Sequence, residues 1–161
     1  MACYDIDSFW GSHTGMLAAA LDTLEPGALV IEHGSGLYSS PLIARYDVHV
    51  LVVEELPGWL EWAGWLYGTA GRKMEHLDRA KRAIPHLATA GLVFIDGAAR
   101  ERGDLLKWAL DAGSPSVIAH DTEEDSRKHY NWAPHLFAHK NYTAEHDGRV
   151  FPRTTMWKRN A

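Results

Sequence analysis

Four short apolar runs constrain this chain more than any other feature: ALVIEHG (28–34), VHVLVVEEL (48–56), GLVFIDG (91–97) and PSVIAHD (115–121). Each is continuously apolar and rich in β-branched residues, as expected for strands covered on both faces of a parallel sheet. Each also ends in an acid. Helical patterns separate them: 12–24, opened by Ser12 as N-cap and stopped before Pro26-Gly27; 39–46, with Pro41 in its first turn; 58–69; 78–87; and 102–113, ended by Gly113. Alternating strand and helix signals predict an α/β domain with a largely parallel sheet.

The tail departs from this rhythm. HLFAHKNYTA (135–144), EHDG (145–148) and RVFPRTTMWKR (149–159) read as two strands joined by a turn, an antiparallel pair closing the sheet. One expected strand is weak. Between the tryptophan-rich helix (Trp59, Trp62, Trp65) and GLVFIDG only RKMEHL (72–77) is available, so the third strand is short or missing. At 161 residues the chain fits a single domain over 1–161, ordinary domains running roughly 100–200 residues. The net charge of −5 argues against a broad nucleic-acid surface, which leaves a basic footprint. The clusters around Arg72–Arg82 and near the end read as solvated faces. Cys3, the single cysteine, permits no internal disulfide. Without a signal-peptide pattern or an apolar run of about 18 residues, a cytoplasmic protein that does not enter the membrane is expected.

The first acidic strand end leads into VIEHGSGLYSS (30–40). In open α/β sheets ligands bind beyond the carboxyl ends of the strands. Gly34 and Gly36 let the backbone approach a ligand and adopt positive φ. One strand later Glu54 and Glu55 offer carboxylates to a ribose diol. The dinucleotide pattern G-x-G-x-x-G fails at Ser39, and Glu32 before the glycines is unsuited to pyrophosphate. An acid there suits a positively charged cofactor, such as one carrying a methionine amino group. No G-K-[ST] is present, which excludes a P-loop.

VIEHGSGLYSSPLIA with HVLVVEELPGWLEWA resembles motif I and the second acidic motif of class I S-adenosylmethionine-dependent methyltransferases. LVFIDGAARERGDLLKWAL and VIAHDTEED resemble the fourth and fifth strand ends of the superfamily's small-molecule methyltransferases, and the terminal hairpin fits as well. The resemblance spans 28–159 and implies a Rossmann-like three-layer sandwich. It places Glu32, Gly34, Ser35 and Gly36 on the methionine part of S-adenosylmethionine. Glu54 would hold the ribose hydroxyls, with Glu55 as fallback, and Glu75 stands nearest to an adenine-contacting acid.

Asp96 and His120-Asp121 close adjacent strands and are expected to converge near the sulfonium. Methyl transfer is an in-line displacement from an activated leaving group, so the protein positions the acceptor and takes its proton. His120 is the candidate general base, with Asp121 or Asp96 orienting it or binding the acceptor. Catechol-type O-methyltransferases place divalent-metal ligands at these two strand ends, so Asp96, Asp121 and Glu123 are candidate Mg²⁺ ligands. His120 stands where that pattern has an acid, so the metal-free reading leads.

Arg100 and Arg102 either pair with an anionic acceptor or are solvated. His135 and His139 read as hairpin positions and the tryptophan helix as core packing. Tyr4 and Trp10 are candidate lid residues over the cofactor. No Asn/Asp-Pro-Pro-aromatic motif follows the fourth strand, which disfavours base-directed amino methylation. The expected activity is O-methylation of a small-molecule or sugar-like acceptor. The rivals are a cofactor-binding protein of the same fold without methyl transfer, and a nicotinamide-dependent oxidoreductase. The small size leaves room for a partner subunit, including a second copy, to complete the acceptor pocket.

Overall fold

A computed structural model of the chain describes residues 11–148 and 152–161. Seven strands form one sheet in the order β3-β2-β1-β4-β5-β7-β6. β1 (Ala28–His33), β2 (Val48–Val53), β3 (Met74–Leu77), β4 (Leu92–Ile95) and β5 (Ser116–Ala119) are mutually parallel. β7 (Thr155–Arg159) runs antiparallel to β5 and pairs on its other side with β6 (Tyr142–His146).

The continuous apolar runs are explained by two cores. Val30, Val50, Val52, Phe94 and Ile118 point to one face. There α1 (Thr14–Leu21), α2 (Ser39–Ile43) and α3 (Pro57–Thr69) add Leu17, Leu21, Ile43, Ala63 and Tyr67. Ile31, Leu51, Val53, Val93, Ile95 and Val117 point to the other face. It is covered by the 3₁₀ segment Ala80–His86 and by α4 (Ala99–Ala112). Alternate side chains leave a strand on opposite faces, so a strand buried twice is apolar at every position. This is the three-layer α/β sandwich expected.

The third strand is short, one of the two outcomes expected: four residues that among the described residues pair with β2 alone, their side chains half-buried or exposed. One-sided pairing at an edge explains its poor strand sequence. Several other elements differ from expectation. Within the 78–87 segment Ala80–His86 is 3₁₀ rather than α, with Pro85, which has no N–H to donate, inside it. The strand expected over 135–144 begins only at Tyr142. Pro134–Ala138 is a 3₁₀ turn that buries Leu136, whose carbonyl accepts Trp157 Nε1–H at 2.9 Å. His135 and His139 therefore lie in this turn and after it, not in a strand. The tryptophan helix does pack on the core, but through Ala63 and Tyr67 with Trp62 and Leu66 partly buried against it, while Trp65 is 65% exposed. Gly113 ends α4 in the left-handed conformation, as expected. Tyr4, Trp10, Cys3 and the first residues of the predicted last strand (149–151) lie outside the described residues. Among those described, no helix is long and apolar enough to cross a membrane.

Candidate functional site at the strand carboxyl ends

The glycine loop follows β1. Gly34 has φ +88°, and a Cβ there would lie 2.4 Å from Gly97 Cα. Glycine is thus demanded by the contact between the β1 and β4 ends, rather than by a ligand alone. Gly36 does not share this demand: its φ is not positive, and a Cβ would meet nothing nearer than Ser39 Oγ at 3.4 Å.

Glu32 is not presented to the cleft. It is fully buried; Oε1 accepts the hydroxyls of Ser39 and Ser40, and Oε2 that of Tyr67, each at 2.8 Å. Ser40 Oγ in turn accepts Gly36 N–H at 3.0 Å. Burial lifts the Glu32 carboxyl to about 7, although the three hydroxyls favour its anion. The serine that breaks the dinucleotide pattern is therefore a donor to Glu32. The acid ties the loop to α2 and α3 from beneath instead of reaching a ligand.

Glu54 does face the cleft. Its Oε2 accepts Ser35 N–H at 3.0 Å and its Oε1 accepts Leu56 N–H at 2.8 Å. With about four lone-pair sites on a carboxylate, two remain for a diol. A cavity of ≈ 350 Å³ lies over this turn, lined by Gly34, Ser35, Glu54, Trp59, Asp96 and Gly97 among others. The Ser35 hydroxyl is buried without a partner. Glu55 also borders this cavity, but its carboxylate is paired with Arg100 at 2.7 Å. Glu75 does not come to the site. Its register opposite Leu51 sets it back from the strand end, where it pairs with Lys73 and His49.

Asp96, His120 and Asp121 converge, as expected. His120 Nδ1 lies 3.3 Å from Asp96 Oδ1 and 3.5 Å from Asp121 Oδ1. Its Nε2 lies 2.7 Å from Ser12 Oγ, so Ser12 serves this histidine and does not cap α1. Burial pulls His120 down, but the hydrogen bond and charge of Asp96, with the charge of Asp121, outweigh it and hold the imidazole above 6.5. Burial likewise opposes the Asp96 anion, yet His120 and the Arg102 charge keep its carboxyl low. His13 packs edge-on to His120, buried with neither ring nitrogen bonded, and burial lowers it to about 4.

Arg102 is neither solvated nor offered to an acceptor. It is 7% exposed and bridges Asp96 and Asp121 at 3.0 and 2.9 Å. The proposed Mg²⁺ ligand set is not supported by this geometry: the guanidinium lies between its two carboxylates. Glu123 is turned away, accepting Arg153 N–H at 2.9 Å and the Ser126 hydroxyl. A different trio, His13, Asp96 and His120, brings one donor atom each within 4.8 Å. A second cavity of ≈ 370 Å³ opens here, lined by His13, Gly36, Tyr38, Trp59 and Asp96 among others. Sequence reasoning missed His13 and the cleft position of Trp59. No local pattern marks either, since both depend on distant elements meeting.

No family model matches the sequence, and the search of curated proteins returns no match. Solved structures do match. A methyltransferase from Geobacter sulfurreducens superposes with TM-score 0.70 at 14% identity, over 93% of this chain and 79% of that one. An O-methyltransferase from Bacillus cereus in complex with SAH gives 0.65 at 14% identity, over 92% and 81%. A precorrin-6Y C5,15-methyltransferase from Geobacter metallireducens gives 0.64 at 13% identity, over 99% and 94%. The chain therefore carries the Rossmann-like α/β fold of these methyltransferases.

Proposed function

We propose that this protein is an S-adenosylmethionine-dependent methyltransferase acting on an oxygen of a small-molecule acceptor. One observation carries the reading: the cavity over Glu54 and the cavity beside His13 share Trp59 and Asp96. A donor site and an acceptor site meeting at a carboxylate and an aromatic ring is what in-line transfer from a sulfonium needs. The residues fit the cofactor. Glu54 has acceptor capacity left for ribose hydroxyls, and the unpartnered Ser35 hydroxyl and the loop backbone border the methionine end. Trp59 offers a π-face to positive charge. When bound, the cofactor supplies an activated methyl group.

The chain's own part is to orient the acceptor hydroxyl and take its proton. In this reading His120 is the base: Asp96 holds Nδ1, and the Ser12 hydroxyl on Nε2 gives its proton to that nitrogen as it takes one from the acceptor. Asp121 and Arg102 fix the two strand ends around it. The acceptor cavity has the size of small-ligand sites, roughly 300–1,000 Å³.

Calorimetry with S-adenosylhomocysteine tests the cofactor. Binding in the micromolar range is expected, and absence of heat at high micromolar protein and ligand overturns the reading. Glu54→Ala is expected to weaken that binding about 10–100-fold, because a hydrogen bond to a charged group contributes about 1.5–3 kcal/mol. Unchanged affinity moves the ribose contact elsewhere.

A further inference from the structure

We infer that Arg102 takes the place of a divalent cation between the ends of β4 and β5, and that its removal uncovers a latent cation site there. The guanidinium makes four hydrogen bonds and one further ion-pair contact. Nε donates to Gly97 O at 2.8 Å. Nη1 reaches Asp121 Oδ2 at 2.9 Å and His120 O at 3.4 Å. Nη2 reaches Asp96 O at 2.9 Å and Asp96 Oδ1 at 3.0 Å. A planar fork ion-paired with two carboxylates and bonded to three carbonyls is a fixed cation, not a mobile surface charge.

The surroundings are shaped to hold it. The Tyr130 ring lies 4.2 Å from the guanidinium carbon. The loop carrying that ring presses so closely on α4 that a Cβ at Gly103 would lie 2.2 Å from Asn131 O. Asp121 adopts φ +57°, a left-handed conformation that costs a non-glycine residue energy, and its carboxylate meets Arg102 in that geometry.

The guanidinium also bears on the His13, Asp96 and His120 trio. A metal ion among those donors would share the Asp96 carboxylate with Nη2, two cations on one carboxylate. Like charges at that separation repel strongly in a buried site. Without Arg102, two carboxylates and two imidazoles would face one another uncompensated, a donor set that divalent ions accept. With Arg102 in place, proton removal in the methyl transfer proposed above, on which this one consequence rests, proceeds without a metal.

Electron paramagnetic resonance of free Mn²⁺ tests the inference in the wild-type protein, in Arg102→Met and in Arg102→Gln. The wild type is expected to leave millimolar Mn²⁺ free. Each folded variant is expected to bind it at least about tenfold more tightly, as removal of a like charge beside the site requires. Adding Asp121→Asn to either variant should abolish the gain. Tight Mn²⁺ binding by the wild type overturns the inference, as does a variant with native circular dichroism that binds no better. If neither variant folds, the latent site is overturned, because Arg102 is then a requirement of the fold rather than a replaceable cation. S-adenosylhomocysteine calorimetry on the same samples reports separately on the cofactor reading.

Discussion

Replacing His120 with glutamine is expected to lower kcat about 10²–10⁴-fold, the usual contribution of one positioned general base. Affinity for S-adenosylhomocysteine should stay within about twofold, because the lost group acts on the acceptor. The imidazole is 4% exposed and held at both nitrogens, by Ser12 and Asp96. The base must be neutral to accept a proton. Its folded value lies above 6.5, so activity rises with pH through that raised value and falls on the acid side. Asp96→Asn removes the hydrogen-bonding anion that offsets burial, and the acid limb should move to lower pH. A merely structural His120 predicts a loss of cofactor affinity and no such movement. An acid limb that stays in place in Asp96→Asn sinks the assignment.

The fold was legible because its signal is local and repeated. Ala28–Ile31, Val50–Val53 and Leu92–Ile95 are apolar at every position, because each strand is sandwiched between two helical layers. The convergence of Asp96 with His120-Asp121 was legible for a related reason: parallel neighbours in register end side by side. What failed depended on contacts between distant segments. Ser12 looks like an N-cap, yet its hydroxyl serves a histidine 108 residues away. His135–Ala138 looks like strand, but its apolar side chains suit one helical turn laid over the core. Glu32 looked like a ligand group because an acid beside glycines can face outward. Only the meeting of Ser39, Ser40 and Tyr67 beneath the loop shows that it faces inward.

That inward-facing acid carries the second large expectation. Glu32→Ala is expected to destabilise the protein by about 3–5 kcal/mol, because it strands three buried hydroxyls, each costing about 1–3 kcal/mol unpaired. Glu32→Gln should cost far less: its carbonyl still accepts from the serines, and its amide can donate to the Tyr67 oxygen. The same residue sets a pH dependence with a definite sign. Its carboxyl is raised from 4.5 to about 7 by burial, so the folded state holds a proton that the unfolded chain has released. The resulting stability is full below pH 4.5 and is lost as pH rises through about 7. At about 1.4 kcal/mol per unit, the whole contribution is about 3 kcal/mol. Urea denaturation between roughly pH 5 and pH 8 should therefore show the wild type losing stability in alkali. Glu32→Gln should lose markedly less over the same interval, since it has no proton to release. His120, also raised, titrates in the same direction in both proteins and cancels from their difference. Equal pH slopes for wild type and Glu32→Gln would mean that the carboxyl is ionised throughout. The serine and tyrosine hydroxyls would then be sustaining a buried anion at neutral pH.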